Sequence, residues 1–495
     1  MIEITNNWIR ISKSEPLIFP ITMNFRMDDY LYYADLGEFI LIPTGLLSFL
    51  QPYIENSEVI DNRVVCPWDS DKIINSISDY REILRGIQLR DEQLTAISRA
   101  LYFKRGIIQM PTGSGKSEVM CGIIESISLV YGKYPTVLIM EPTITLVNSM
   151  VSRFNKYDIP AVSYRENRKI IENCVNICHP YSLSNDIDKD PHILDSVQIL
   201  IGDESHHFSA DQFRRPTYHM PNLVMSIGVS ASVISQQHAG LSLLSSYNIN
   251  EVLAFSATGP LIMNITAGAL IDDNRLATPV LLMIDNQNKE YMYGKDPYNW
   301  HNVVKYHLES KYRNKLVVDC AQYFSSIGRK SLILVNTVRW SRALLKEFDS
   351  RNMSDITRAS YGGGRFEYYD GYDFRVDSGD VLSKFGSGEY SVLIGTTHLY
   401  EGVDVPNLDV IILAYGGKGE RIQVQGIGRA LRKTKTGKYA YIVDFLDNND
   451  VILKSHSKKR LQRYRENTNI SSDRTYLGIQ PKDIPGIISR LEEDV

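Results

Sequence analysis

Two short runs carry residue types that could do chemistry together. The first is MPTGSGKS, from Met110 to Ser117, and the second is DESHH, from Asp203 to His207. In the first, Thr112, Gly113, Ser114 and Gly115 form a loop whose backbone can curl until its N–H groups face phosphate oxygens. Lys116 can then reach the β- and γ-phosphates, and Ser117 can hold Mg²⁺. A strict phosphate loop begins with glycine, and this one begins with Met110, so the run does not decide alone. The second run supplies what hydrolysis needs. Asp203 is placed to hold Mg²⁺ through water, and Glu204 to orient and polarise an attacking water. The implied ligands are a nucleoside triphosphate, ATP, and Mg²⁺.

Both runs need particular supports. A phosphate loop must leave a strand and enter a helix. Gly106, Ile107 and Ile108 read as that strand, and VMCGII from Val119 as part of that helix. VQILIG before Asp203 reads as a buried parallel strand. A carboxylate at the C-terminal end of such a strand sits where open α/β sheets bind ligands. After the loop, TVLIM, ITLVNSMVSRF, VNICH and VQILIGD alternate strand and helix, which predicts a parallel sheet covered by helices. The alternation restarts with KLVVDCAQYF as helix, SLILVNT as strand and VRWSRALLKEF as helix. SVLIGT, VIILAYG and YAYIVDF follow as strands. The stretch YGGGRFEYYDGYDFRVDSGD (Tyr361 to Asp380) reads as an exposed loop whose tyrosines could stack on bases.

Further runs fall in a fixed order. LRDEQLTAI (Leu89 to Ile97) precedes the phosphate loop; MEPTITLVNSM (Met140 to Met150) and ICHPYSL (Ile177 to Leu183) follow it. VLIGTTHLYEGVDVPNL (Val392 to Leu408) and QVQGIGRALR (Gln423 to Arg432) come after DESHH. Together they resemble the ordered motifs of superfamily 2 helicases of the DExH type, from about Leu89 to Phe445. Within that superfamily the chain is most similar to phage UvsW-type and XPB-like members. LRDEQ lies just before the phosphate loop, and Asp29 to Leu50 resembles the small domain preceding the UvsW motor.

The resemblance implies an α/β fold of two tandem RecA-like parallel-sheet motor domains, preceded by a small α+β domain. It implies that Gln93 reads the base, and that Pro142, Thr143, Thr396 and Thr397 contact nucleic acid. Glu401, Gly402 and Asp404 would link ribose to the bound strand, and Gln425 would position the nucleotide or water. Arg429 and Arg432, three apart on one helix face, would act on the γ-phosphate as arginine fingers. The coupling motif has two candidates. GVSAS, with Ser230 and Ser232, is favoured by its place after an apolar strand; FSAT, with Ser256 and Thr258, is the alternative. The implied activity is ATP-dependent DNA unwinding or remodelling at forks, Holliday junctions or R-loops. The implied partners are single- or double-stranded DNA or an RNA–DNA hybrid, engaged by a monomer. Rival readings are a duplex-translocating subunit of a restriction or defence complex, and a nucleotide-dependent nucleic-acid scaffold without turnover.

The 495 residues accommodate several domains, expected as 1–85 (accessory), 86–285 (first motor), 286–470 (second motor) and 471–495 (tail). The polar and aromatic stretch from Asp285 to Asn299 is the expected join. Five scattered cysteines argue against a disulfide framework. Cys174, Cys178 and His179 lack a second ligand pair for zinc. No apolar run spans a bilayer and no signal-peptide start is visible, so a soluble cytoplasmic enzyme is expected. The net charge of −4 conceals an asymmetry. The first 85 residues carry 13 acids against 7 bases, whereas Ile411 to Thr475 carries 14 bases against 6 acids. Within the basic stretch, RALRKTKTGK and KSHSKKRLQRYR could follow a phosphate backbone.

Overall fold

The fold is described by a computed structural model for all residues except 28–29, 79–81, 232–243, 274–275, 288–299, 352–357, 363–364, 370–372, 377, 397–404, 406, 418–438, 449, 469 and 494–495. Contacts divide the chain into two units, Met1–Ile265 and Thr266–Val495.

The first unit begins with β1 (Ile2–Ile4), β2 (Trp8–Ser12), a short antiparallel pair β3 (Arg26–Met27) and β4 (Tyr30–Leu31), then β5 (Ala34–Asp35), β6 (Phe39–Pro43) and β7 (Val59–Asp61). Five of these strands form a sheet in the order β5-β6-β2-β1-β7. The motor sheet follows, with β8 (Arg105–Gln109), β9 (Val137–Met140), β10 (Ala161–Ser163), β11 (Val175–Cys178), β12 (Ile199–Asp203), β13 (Met225–Ser230) and β14 (Leu261–Asn264). Its order is β10-β11-β9-β12-β13-β8-β14, parallel throughout. Side chains alternate between its two faces. Ile199 and Ile201 enter one core with the helices Asp91–Phe103 and Lys116–Tyr131, while Leu200 enters the other.

The N-terminal α+β segment is not a separately cored domain. Ile2, Ile9, Ile40 and Ile42 share one buried cluster with Ile107, Leu138, Leu200 and Phe255. The contact is close at Gly45, where a Cβ would lie 2.3 Å from the Phe255 carbonyl oxygen. Trp68, Ile73, Ile77 and Leu84 join the core on the opposite face of the motor sheet. The expected boundary near Arg85 therefore has no counterpart in the packing.

The second unit holds β15 (Thr278–Asp285), β16 (Ser331–Val335), β17 (Arg358–Gly362), β18 (Arg365–Tyr369), β19 (Asp373–Val376), β20 (Val392–Thr396), β21 (Val410–Leu413), β22 (Tyr439–Leu446) and β23 (Thr475–Ile479). The order is β19-β18-β17-β20-β16-β21-β22-β15-β23, parallel except for the β17–β18–β19 meander. Three expectations change here. The join lies between Ile265 and Thr266, because β15 pairs with β22 and β23 of this sheet. The expected 471–495 tail is integral to the unit. It supplies β23 and the helix Ile484–Glu493, whose Ile484, Ile487, Ile488 and Leu491 enter the core at helical spacing. Within the stretch expected as a loop from Tyr361, the described residues of β17, β18 and β19 instead pair as strands; its glycines obscure the aromatic, strand-favouring run RFEYY.

A buried ion pair fastens the helix Val451–Thr468 to β22. Arg460 Nε donates to Asp444 Oδ2 at 2.8 Å and Nη2 to Oδ1 at 3.0 Å, with both side chains fully buried. Asp444→Ala leaves this guanidinium buried without its carboxylate and is expected to cost about 3–5 kcal/mol. Denaturant unfolding measures it, and a loss below about 1 kcal/mol would mean that water reaches Arg460. No helix among the described residues is long and apolar enough to cross a membrane.

Candidate nucleotide site

The loop from Met110 to Gly115 leaves β8 and enters the helix Lys116–Tyr131. Gly113 and Gly115 have φ of 85° and 84°, in the left-handed region that favours glycine. A Cβ on Gly115 would also meet Gln93 Nε2 at 2.1 Å. Gly115 is the helix N-cap and gives it no side-chain acceptor, so the first-turn amides keep their capacity for an anion. Ser114 Oγ donates to the Pro111 carbonyl at 2.7 Å, which closes the loop on itself.

Gln93 occupies a different place from that of an open base reader. Its Nε2 donates to the Ser114 and Gly115 carbonyls at 3.3 and 3.4 Å, and its Oε1 accepts from the Arg90 amide at 3.0 Å. Arg90 itself donates to the Ser114 carbonyl. The LRDEQ run therefore braces the phosphate loop, and reading a base would require Gln93 to release one of these bonds.

Asp203 ends β12 beside β13, and the next residue turns sharply. Glu204 has φ 46° and ψ 52°, a left-handed conformation that costs a non-glycine residue about 1–3 kcal/mol. Its amide donates to Asp203 Oδ1 at 2.8 Å, and its carboxylate meets three further groups, one of them His206 Nδ1 at 3.5 Å. Lys116 Nζ lies 3.2 Å from Glu204 Oε1, and Ser230 Oγ donates to Oε2 at 3.0 Å. His206 Nδ1 is 3.0 Å from the same Ser230 oxygen. With the Ser230 hydroxyl donating to Glu204, the Ser230 oxygen accepts from Nδ1–H in this contact, giving a chain from His206 through Ser230 to Glu204. Strand order makes this possible, because β13 lies between β12 and β8 and its last residue faces both chemical runs.

The electrostatics divide the adjacent acids. Burial, reinforced by the negative charge of Glu204, pushes the Asp203 carboxyl above its ordinary range. Burial acts on Glu204 too, but Lys116, then His206, outweigh it and hold that carboxyl low. Glu141 is a third acid that sequence reading missed as a site residue. It follows β9 directly, beside Asp203 in the β9–β12 register, fully buried. Neither of its carboxyl oxygens has a hydrogen-bond partner among the described residues, and burial together with Asp203 and Glu204 drives its pKa far up. The signal was available: Glu141 ends the apolar run TVLIM just as Asp203 ends VQILIG. His206 was missed as well, although it is part of DESHH.

The remaining expected residues divide clearly. Thr112 and Ser117 lie in the loop and in the first turn of its helix. Thr143 caps the helix Ile144–Lys156, accepting from the Leu146 amide at 3.2 Å, with Pro142 just before it. Thr396 ends β20 and is buried. Ser256 and Thr258 lie in the helix Ile249–Thr258 and donate to its own Leu253 and Ala254 carbonyls at 2.7 and 3.2 Å. Ser232, Thr397, Glu401, Gly402, Asp404, Gln425, Arg429 and Arg432 lie outside the described residues.

With this geometry established, the comparisons with known proteins become specific. Residues 86–258 match the family model described as type III restriction enzyme, res subunit. Residues 314–434 match the one described as helicase conserved C-terminal domain. Together the two matches support a superfamily 2 helicase. It resembles the UvsW and XPB types. It is 23% identical over 447 residues to the DNA 3'-5' translocase XPB2 of Sulfurisphaera tokodaii, covering 84% of this chain and 90% of that protein. It is 21% identical over 428 residues to the ATP-dependent DNA helicase uvsW of Enterobacteria phage T4, covering 84% and 78%. Among solved structures, an ATP-dependent Type ISP restriction-modification enzyme, LlaBIII bound to DNA, shares the fold. The TM-score is 0.55 at 14% identity, over 82% of this chain and 32% of that one. The two tandem parallel-sheet units are RecA-like motor domains, and the two domain matches with the helicase-named relatives support an ATP-dependent helicase or translocase.

The residues present fit ATP and Mg²⁺. The helix N-terminus and Lys116 suit the phosphates, and Ser117 with Asp203 would hold the metal. ATP with Mg²⁺ supplies the transferable phosphoryl group and neutralises its charge.

Proposed function

We propose that the chain couples ATP hydrolysis to movement along DNA, and that it unwinds or remodels branched structures such as forks, Holliday junctions and R-loops. The motor part rests on one observation above all: the contact chain Lys116–Glu204–Ser230–His206 joins the phosphate loop to two neighbouring strands of the sheet. A change at the phosphate end then reaches β13 through two hydrogen bonds. In this reading Lys116 binds phosphate, Asp203 with Ser117 holds the metal, and Glu204 takes a proton from water at a carboxylate oxygen. Arg429 and Arg432 complete the hydrolytic set, and Ser230 is the coupling serine. The DNA-helicase part is supported by the likeness to uvsW, and the branched-substrate part extends what the motif resemblance to UvsW-type helicases implies.

A translocating subunit of a restriction complex is the second reading, favoured by the res-subunit match and by the shared fold with a DNA-bound restriction enzyme. Steady-state hydrolysis with no nucleic acid, single-stranded DNA, duplex, a synthetic fork and an RNA–DNA hybrid separates the two. Stimulation by the fork or hybrid well above linear DNA supports branched-substrate remodelling. Equal stimulation by plain duplex supports the translocase. No hydrolysis in any arm would overturn both and leave a nucleotide-dependent scaffold.

Ser230→Ala tests the coupling role. One hydrogen bond to a carboxylate is lost while its charge stays, so DNA-stimulated hydrolysis should fall by no more than about a hundredfold. Strand separation per ATP should fall much further. Ser256→Ala, whose hydroxyl serves its own helix, should leave both unchanged; the reverse pattern would move the coupling motif to FSAT.

A further inference from the structure

The basic run near the C-terminus becomes one helix, Val451–Thr468, and its sides differ sharply. Leu453, Ser457, Arg460 and Tyr464 form its buried side. Arg460 reaches inward to Asp444 and to the Gly416 and Gly417 carbonyls at 3.0 and 3.1 Å, so the helix is fixed to its unit by directed bonds. Lys454, Lys458 and Arg465 are all exposed. Their spacing puts them within about 40° of one another and spreads them over about 16 Å of helix. Lys459, also exposed, lies about 100° or more round the helix from this row.

A helix face that merely meets water usually alternates signs, because like charges four apart repel and opposite ones attract. This face does not alternate. From Val451 to Arg465 the sequence has no acid at all. None of the four exposed cations makes an ion pair among the described residues, although Arg168, Arg215 and Arg351 elsewhere each do. A row of positive charge on a rigid support, with no ion pair among the described residues and in a chain of net charge −4, is complementary to a line of phosphates.

We propose that Lys454, Lys458 and Arg465 form a contact surface for the DNA phosphate backbone. This rests on the DNA-motor reading above and adds a place where the strand is held. The contacts are to phosphate, so they contribute affinity without sequence preference. The site lies outside the nucleotide-binding residues, so its loss should spare hydrolysis in the absence of DNA.

The test uses the full chain and a K454Q/K458Q/R465Q variant. Binding of oligo(dT) and of a linear duplex is measured from 50 to 200 mM salt, with DNA-free ATP hydrolysis as the check on folding. Three lost phosphate contacts should reduce the salt slope for single strands by about 2, since each contributes about 0.7. The wild type should then lose about 20-fold more affinity than the variant over that range, with DNA-free hydrolysis equal. Equal slopes in wild type and variant would overturn this contact while leaving the motor reading standing. A wild type that binds neither DNA would remove the motor reading and this surface together. Equal DNA slopes, with wild-type binding to anionic phosphatidylserine vesicles lost in the variant, would reassign the face to membrane and also overturn the proposal.

Discussion

In Lys116→Ala, ATP turnover falls by at least about 10³-fold, with or without DNA, while the chain stays folded. The size follows from what surrounds the ammonium. Lys116 sits 3.2 Å from Glu204, in a region that also holds the buried acids Asp203 and Glu141. With Lys116 present, its positive charge holds Glu204 ionised against burial. Without it, adjacent carboxyls repel one another as well as the incoming phosphates, so the same substitution removes the phosphate anchor and spoils the ionisation of the water-orienting acid. Losing one preorganised charge-stabilising group commonly costs about 10²–10³ in rate. Losing one that serves two purposes lies at or beyond the upper end. The loop itself should survive, because Ser114, Gln93 and Arg90 hold its backbone without the lysine. Steady-state phosphate release measures the effect, with circular dichroism as the folding check. Turnover within tenfold of wild type would overturn the assignment of this loop to ATP.

Much of this site could be read from the chain because its parts are local. A phosphate loop is a few consecutive residues whose glycines, lysine and hydroxyl must be adjacent to work, and Asp203 and Glu204 are neighbours at the end of one apolar strand. The sheets were legible for a similar reason: strands such as VLIM and ILIGD, buried on both faces, write themselves as unbroken apolar runs. What required the fold was whatever depends on strands distant in sequence becoming neighbours. Ser230 reaches Glu204 only because β13 lies beside β12, and nothing in GVSAS alone distinguishes it from FSAT. Glu141 becomes part of the acidic cluster only through the β9–β12 pairing. The unit boundary was misplaced because β15 is as apolar as a first-unit strand, and its partners β22 and β23 come more than 150 residues later. The N-terminal segment looked independent because composition does not show that Gly45 permits backbone contact with the helix Ile249–Thr258.

Glu204→Gln separates binding from chemistry more sharply than any other single change here. The substitution is nearly isosteric, and the amide oxygen can still accept the Ser230 hydroxyl that now meets Oε2 at 3.0 Å. Two things change: the side chain can no longer take a proton from water, and it no longer pairs with Lys116. The first predicts a fall in turnover of about 10³-fold, within the range for removal of a positioned general base. The second predicts nucleotide affinity at least equal to wild type, since Lys116 is released to the phosphates and one negative charge beside them disappears. Removing that charge also relieves Asp203, whose carboxyl Glu204 helps to push upward, so metal binding should strengthen at mildly acidic pH. A fluorescent ATP analogue titrated in Mg²⁺ gives the affinity, and single-turnover hydrolysis gives the rate. If affinity and rate fell together, Glu204 would act by holding Lys116 in place, and the water-orienting role would pass to another group. Glu141 would then be first in line, as a buried carboxyl beside the same aspartate with no hydrogen-bond partner among the described residues. Glu141→Gln would separate these cases, silencing turnover if that carboxyl does the work and sparing it if Glu204 does.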